Sequence, residues 1–174
     1  MELDKSPLRT VFLKDVIEKD EGKSLYVMLK ESIEWDDGIP SRIHGFTRKA
    51  KALNCGDFPL IDELIKICLD KLTVKNKKKY IISHIYLNYY ENGEMFTPNH
   101  SHQGTHQLVI SLGGMRILEI GKKRFPMENG DAILFGSSTH GIPNGANIHS
   151  DDDHALRIAS ENGHIEVVNY LKSL

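Results

Sequence analysis

The spacing of apolar residues divides the chain into three stretches. In "LKDVIEKDEGKSLYVMLKESIEW", Leu13 to Trp35, the apolar positions Val16, Ile17, Leu25, Val27, Met28, Leu29 and Ile33 recur at helical intervals. That spacing predicts one helix, or two with a break at Gly22. "DDGIPS" follows as a turn built on Asp37, Gly38 and Pro40. "FPLIDELIKICLDKL" then reads as an amphipathic helix, with Leu60, Leu64, Ile65, Ile67, Cys68 and Leu72 as its buried face. "KNKKK", Lys75 to Lys79, is a basic connector, read either as a solvated loop or as a local phosphate contact.

Beyond Lys79 the period shortens. "YIISHIYLNYY", "HQLVISL", "RILEI" and "DAILF" are short runs rich in β-branched and aromatic residues. Turn signals separate them: Glu91-Asn92-Gly93, Gly113-Gly114, Gly121-Lys122-Lys123 and Asn129-Gly130-Asp131. Several short strands at this spacing point to an antiparallel sandwich or jelly roll. The expected class is therefore α+β. Helices over residues 11–72 flank a jelly roll, or double-stranded β-helix, over residues 80–143. From Asn144 the helical period returns.

Length and charge narrow the picture. A chain of 174 residues suits one domain with a small appendage and buries a sizeable core without staples. With 22 basic and 24 acidic side chains the net charge is -2, which makes no global case for nucleic acid or a membrane surface. Cys55 and Cys68 are not spaced as a CxxC pair and read as reduced intracellular thiols. No apolar run approaches the roughly 20 residues that span a bilayer, and "MELDKSPLRT" lacks a signal-peptide core. The expected location is cytoplasmic or nuclear.

Chemistry concentrates in "TPNHSHQGTHQLVISLGG", which holds three of the nine histidines, His100, His102 and His106. Residues two apart on a strand share a face, so His100 and His102 can converge on one ion. His140, in "GDAILFGSSTHGIPN", is the natural third ligand, because a jelly roll sets strands distant in sequence side by side. Imidazoles on one side of a metal leave positions open for substrate and O₂ chemistry. The competing reading is a set of hydrogen-bonded loop histidines, which is retained for His44, His84, His149, His154 and His164. His106 is a fourth ligand, a partner supporting the ligands from behind, or a plain strand-entry residue.

These segments, taken in order from about Val11 to Asn144, resemble the AlkB-like branch of the Fe(II)/2-oxoglutarate dioxygenases. "SIEWDDGIPSR" is similar to the family's early helix before a Pro-Arg-like segment. "YLNYYENGEMFTPNHSH" resembles its Asn-x-Tyr strand and His-x-Asp entry. "VISLGGMRILEI" resembles its SLG-x-x-R strand, and "FPMENGDAILFGSSTHGIPN" the segment with the distal iron ligand. The resemblance implies that His100 and His140 bind Fe(II), that Asn88 and Tyr90 contact 2-oxoglutarate, and that Arg116 lies near the site. It implies hydroxylation or demethylation of a nucleic-acid base or a protein side chain. Two positions depart from the pattern. His102 stands where the family has a carboxylate, so Zn, Ni, Mn or Cu can compete with iron and the oxidation chemistry can be altered. The family's late arginine has only Arg157 as a counterpart, at roughly the right separation from His140 but in another pattern.

That other pattern is "ALRIASENGHIEVVNYL", which resembles an ankyrin repeat of the Asn- and Asp-rich type found in large DNA viruses. Ala155, Leu156, Ile158 and Ala159 form one helix face, Asn162-Gly163 ends that helix, and Ile165, Val167, Val168 and Leu171 form the second. Residues 144–174 are thus expected to be a partial repeat after an oxygenase domain at 1–143. Such units need neighbours, so a protein partner is one expectation. For a nucleic-acid substrate, the basic rim falls on Lys75 to Lys79 and on "SRIHGFTRKAK", Ser41 to Lys51. Two further classes stay open. Gly93 to Gly113 is similar to the first cupin motif with His106 in place of its glutamate, implying a cupin-type metal-binding enzyme. A catalytically silent binding module is the other.

Overall fold

In the computed structural model, residues 10–37, 40–41, 45–76 and 80–143 are described. The first half of the chain contains β1 (Val11–Leu13), α1 (Lys19–Ser32), β2 (Pro40–Ser41), β3 (Gly45–Phe46), β4 (Lys49–Leu53) and α2 (Pro59–Asn76). The second contains β5 (Ile85–Tyr89), β6 (Thr97–His100), β7 (Gln107–Ile110), β8 (Arg116–Ile120), β9 (Lys123–Met127), β10 (Ala132–Phe135) and β11 (His140–Ile142).

Strand β10 organises the layers. All four of its residues are buried, and successive side chains on a strand point to opposite faces. Ala132 and Leu134 join Leu13, Val16, Ile17, Leu25, Leu64, Cys68 and Leu72 in a core beneath the helices. Ile133 and Phe135 join Leu118, Ile120 and Met127 in a second core between sheets. One antiparallel sheet has the order β1-β10-β7, the other β6-β11-β8-β9. The class is α+β, with two antiparallel sheets enclosing apolar side chains and helices on the outer face of one. A two-stranded pair, β4 with β5, closes a third core of Leu29, Ile33, Ile61 and Ile85.

Several sequence expectations change here. Val11–Leu13 is a strand paired with β10, not part of a helix. Val16 and Ile17 are buried in the connection, where both backbone N–H groups donate to the Gly130 carbonyl. The helix starts only at Lys19 and runs unbroken through Gly22. Gly22 is a contact residue and no hinge: a Cβ there would collide with the Asn129 side chain. On α2 the buried positions are Ile61, Leu64, Cys68 and Leu72, whereas Leu60 and Ile67 are exposed. Pro40–Ser41, Gly45–Phe46 and Lys49–Leu53 are strands, so the turn at Pro40 and the basic segment Ser41 to Lys51 run through β2, β3 and β4 and are not helical. The basic connector begins inside α2, which ends only at Asn76. The ankyrin-like hairpin, with Arg157, lies outside the described residues, as do Lys77 to Lys79.

Candidate metal centre

Strands β6 and β11 carry the site. They pair antiparallel with His140 directly opposite His100, and directly opposed residues project to the same side of a sheet. His102 lies two residues beyond the end of β6 and reaches back to both. The ring centroids of His100 and His140 are 4.3 Å apart, those of His100 and His102 4.9 Å, and those of His102 and His140 5.5 Å. One ring nitrogen from each lies within 4.8 Å of the other two, so the three could hold one metal ion.

A local irregularity makes this pairing possible. The register shifts after His140, so that Ile142 faces Thr97. Gly141, between them, packs against the Thr97 carbonyl and the Asn99 side chain, and a Cβ there would sit 2.5 Å from Asn99 Oδ1 and 2.7 Å from the Thr97 oxygen. Only glycine lets the strands approach this closely.

Hydrogen bonds select the ligand nitrogens. His100 Nδ1 is 2.8 Å from the Pro98 carbonyl and His140 Nδ1 is 3.0 Å from the Ser138 carbonyl. A carbonyl only accepts, so each Nδ1 carries the proton and each Nε2 keeps its lone pair for an ion. His140 is buried and packs edge-on against Phe135 at 4.8 Å. Burial, reinforced by the neighbouring His100 and His102, pushes its pKa below the ordinary histidine value, against the opposing Ser138 hydrogen bond. It is therefore neutral, the form that binds metal. His100 is half-buried and His102 exposed, so the centre opens to solvent on the His102 side. The donor set fits a divalent metal that accepts imidazole, iron and zinc included.

Of the other sequence-predicted residues, Tyr90 is linked to β6, Arg116 to Tyr90, and Asn88 to Arg48. The Tyr90 and Thr97 hydroxyls are 2.5 Å apart, which ties the end of β5 to the start of β6. Burial raises the Tyr90 pKa, outweighing the opposing effects of Thr97, Arg48 and Arg116, so the phenol stays protonated. The Arg116 guanidinium lies 5.1 Å from the Tyr90 ring centroid and donates to the Asn92 carbonyl at 2.7 Å. Asn88 is exposed on β5 and accepts from Arg48 Nε at 2.6 Å. His106 stands apart from the three-histidine group, exposed, with its ring edge-on to Tyr80 at 5.8 Å. His84 stacks on Tyr86. His44, His149, His154 and His164 lie outside the described residues.

Sequence reading missed Arg48, Thr97 and Gly141, along with the carbonyls of Pro98 and Ser138. Arg48 reaches Asn88 only because β4 pairs with β5, and nothing local signals that pairing. The glycine after His140 is a visible signal, since a strand glycine marks a close backbone approach. Among the described residues no helix is long and apolar enough to cross a membrane. No protein-family model matches this chain, and no curated protein matches it significantly.

Proposed function

We propose that this chain is an AlkB-like Fe(II)/2-oxoglutarate-dependent oxygenase. Its two antiparallel sheets are the halves of a double-stranded β-helix, and His100, His102 and His140 are the protein ligands of its metal. It hydroxylates or demethylates a nucleic-acid base or a protein side chain. The observation that carries this reading is the direct opposition of His100 and His140 on adjacent strands, with His102 completing the group. Tyr90, tied to the same strand three residues before His100, supports it.

When bound, iron and 2-oxoglutarate would activate O₂, one oxygen atom passing to succinate as 2-oxoglutarate loses CO₂ and the other into a substrate C–H bond, and an N-methyl group so hydroxylated would be lost as formaldehyde. The chain's own residues bind and orient. His100 and His140 present Nε2 on rings fixed by backbone carbonyls. Phe135 backs His140 with apolar surface and keeps water from the inner side. Tyr90, held protonated by burial, offers its hydroxyl to the cosubstrate alongside Asn88, and Arg116 adds positive charge beside the ring. The position of His106 against Tyr80 favours this reading over a cupin-type centre, which uses four ligands.

The deciding experiment measures succinate formed from 2-oxoglutarate by protein loaded anaerobically with Fe(II) and then exposed to O₂. Succinate above the protein-free level is expected even without a primary substrate, and it should vanish in His140→Ala. No turnover in the loaded wild type would sink the enzyme reading and leave a metal-binding module.

A further inference from the structure

Three neutral imidazoles contribute no charge, so a divalent ion held by His100, His102 and His140 keeps both of its positive charges. No carboxylate belongs to this group among the described residues. Glu119 lies opposite Gly141, next to His140, but strand alternation sends its side chain to the other face of the sheet. There it pairs with Arg124 at 3.2 Å. The buried Asp131 is committed to Lys14 at 2.9 Å. Arg116 lies 5.1 Å from the Tyr90 ring centroid, and Tyr90 bonds Thr97 on the strand that carries His100. In a partly desolvated site such uncompensated charge acts far more strongly than in water.

We propose that this centre is anion-receptive. It takes a small monoanion, of the carboxylate or inorganic type, directly on the metal, and the neutrality of His102 sets its affinity. The proposal rests on the metal-centre reading and adds a regulation to it: monoanions compete with the anionic cosubstrate for the ion. A carboxylate at position 102 would offset one charge and weaken that competition.

Cobalt(II) serves as the probe metal, because its visible absorption reports each change in coordination. Azide and formate are titrated as anions, and imidazole as a neutral donor, into the cobalt-loaded full chain and its His102→Asp and His102→Gln variants. Position 102 is exposed, so these variants retain the fold, which circular dichroism checks. The anions should bind wild type at least about tenfold more tightly than His102→Asp, a difference of about 1.4 kcal/mol, while imidazole binds both alike. His102→Gln, neutral like histidine, should keep the preference for azide over imidazole. Tight azide with weak formate assigns the site to inorganic anions, and the converse assigns it to carboxylates. Equal anion affinity in wild type and His102→Asp overturns the proposal, as does a parallel loss of azide and imidazole binding. If cobalt binds and azide leaves the spectrum unmoved, the anion proposal fails alone. If cobalt does not bind, the metal centre fails and takes the proposal with it.

Discussion

Cys55 and Cys68 are both free thiols, and burial separates them. Cys68 lies beneath the helices with no exposed surface, and burial pushes its pKa from 9.0 up to about 11. At pH 8 a thiol reagent should therefore label Cys55 quickly, and Cys68 only as fast as the protein opens. The same shift predicts a pH dependence of stability. Below the unfolded-state pKa both states hold the proton, and Cys68 adds no slope. Above it the unfolded chain ionises first, so stability falls as pH rises from about 9 toward 11. Urea unfolding of wild type against Cys68→Ala checks this, since the variant should lose that part of the slope. His140 illustrates the same force acting on a base: burial favours the uncharged ring, so its Nε2 is available to a metal when a solvated histidine would be partly protonated. Both cysteines were legible in the sequence as thiols, but their different reactivity was not, because burial is a property of the packed chain.

At the level of elements, the site depends on two short, polar strands. β6 reads Thr-Pro-Asn-His and β11 His-Gly-Ile, so neither shows the apolar alternation by which strands are recognised in sequence. Their pairing passes through Gly141, whose neighbours leave no room for a Cβ. Gly141→Ala should destabilise the protein by about 1–3 kcal/mol, the usual cost of overpacking, and should weaken metal binding as His100 and His140 separate. Thermal unfolding and cobalt binding measure the two effects. On α2 the helical period was legible, but the buried face was assigned partly wrongly. Several apolar residues, among them Leu60, Ile61, Ile65 and Ile67, nearly encircle this helix. Periodicity alone could not choose among them, and the positions of β10 and β5 decided that Ile61 is covered and Ile67 is not.

Across the whole molecule, Asp131 joins the N-terminal segment to the β-rich half. Its fully buried carboxylate accepts from Lys14 Nζ at 2.9 Å, from the Asp15 N–H at 3.1 Å and from the Glu128 N–H at 2.9 Å. Asp131→Ala leaves these donors without their acceptor and should cost about 3 kcal/mol, measured by chemical denaturation. The chain's own order of periods determined much of the rest. Helical spacing before Lys79, strand-length apolar runs after it, and the glycine-bearing turns between them are local properties, governed by side-chain alternation and backbone conformational preference. The histidines were likewise visible as a cluster with a distant companion. Only tertiary structure decided that Val11–Leu13 is a strand, that Arg48 meets Asn88, and that His140 lies opposite His100 while His106 does not join them. Each of these depends on which strand pairs with which and in what register. That choice is made by burying Ile133 and Phe135 on one side of β10 and Ala132 and Leu134 on the other, a long-range condition that no window of the sequence contains.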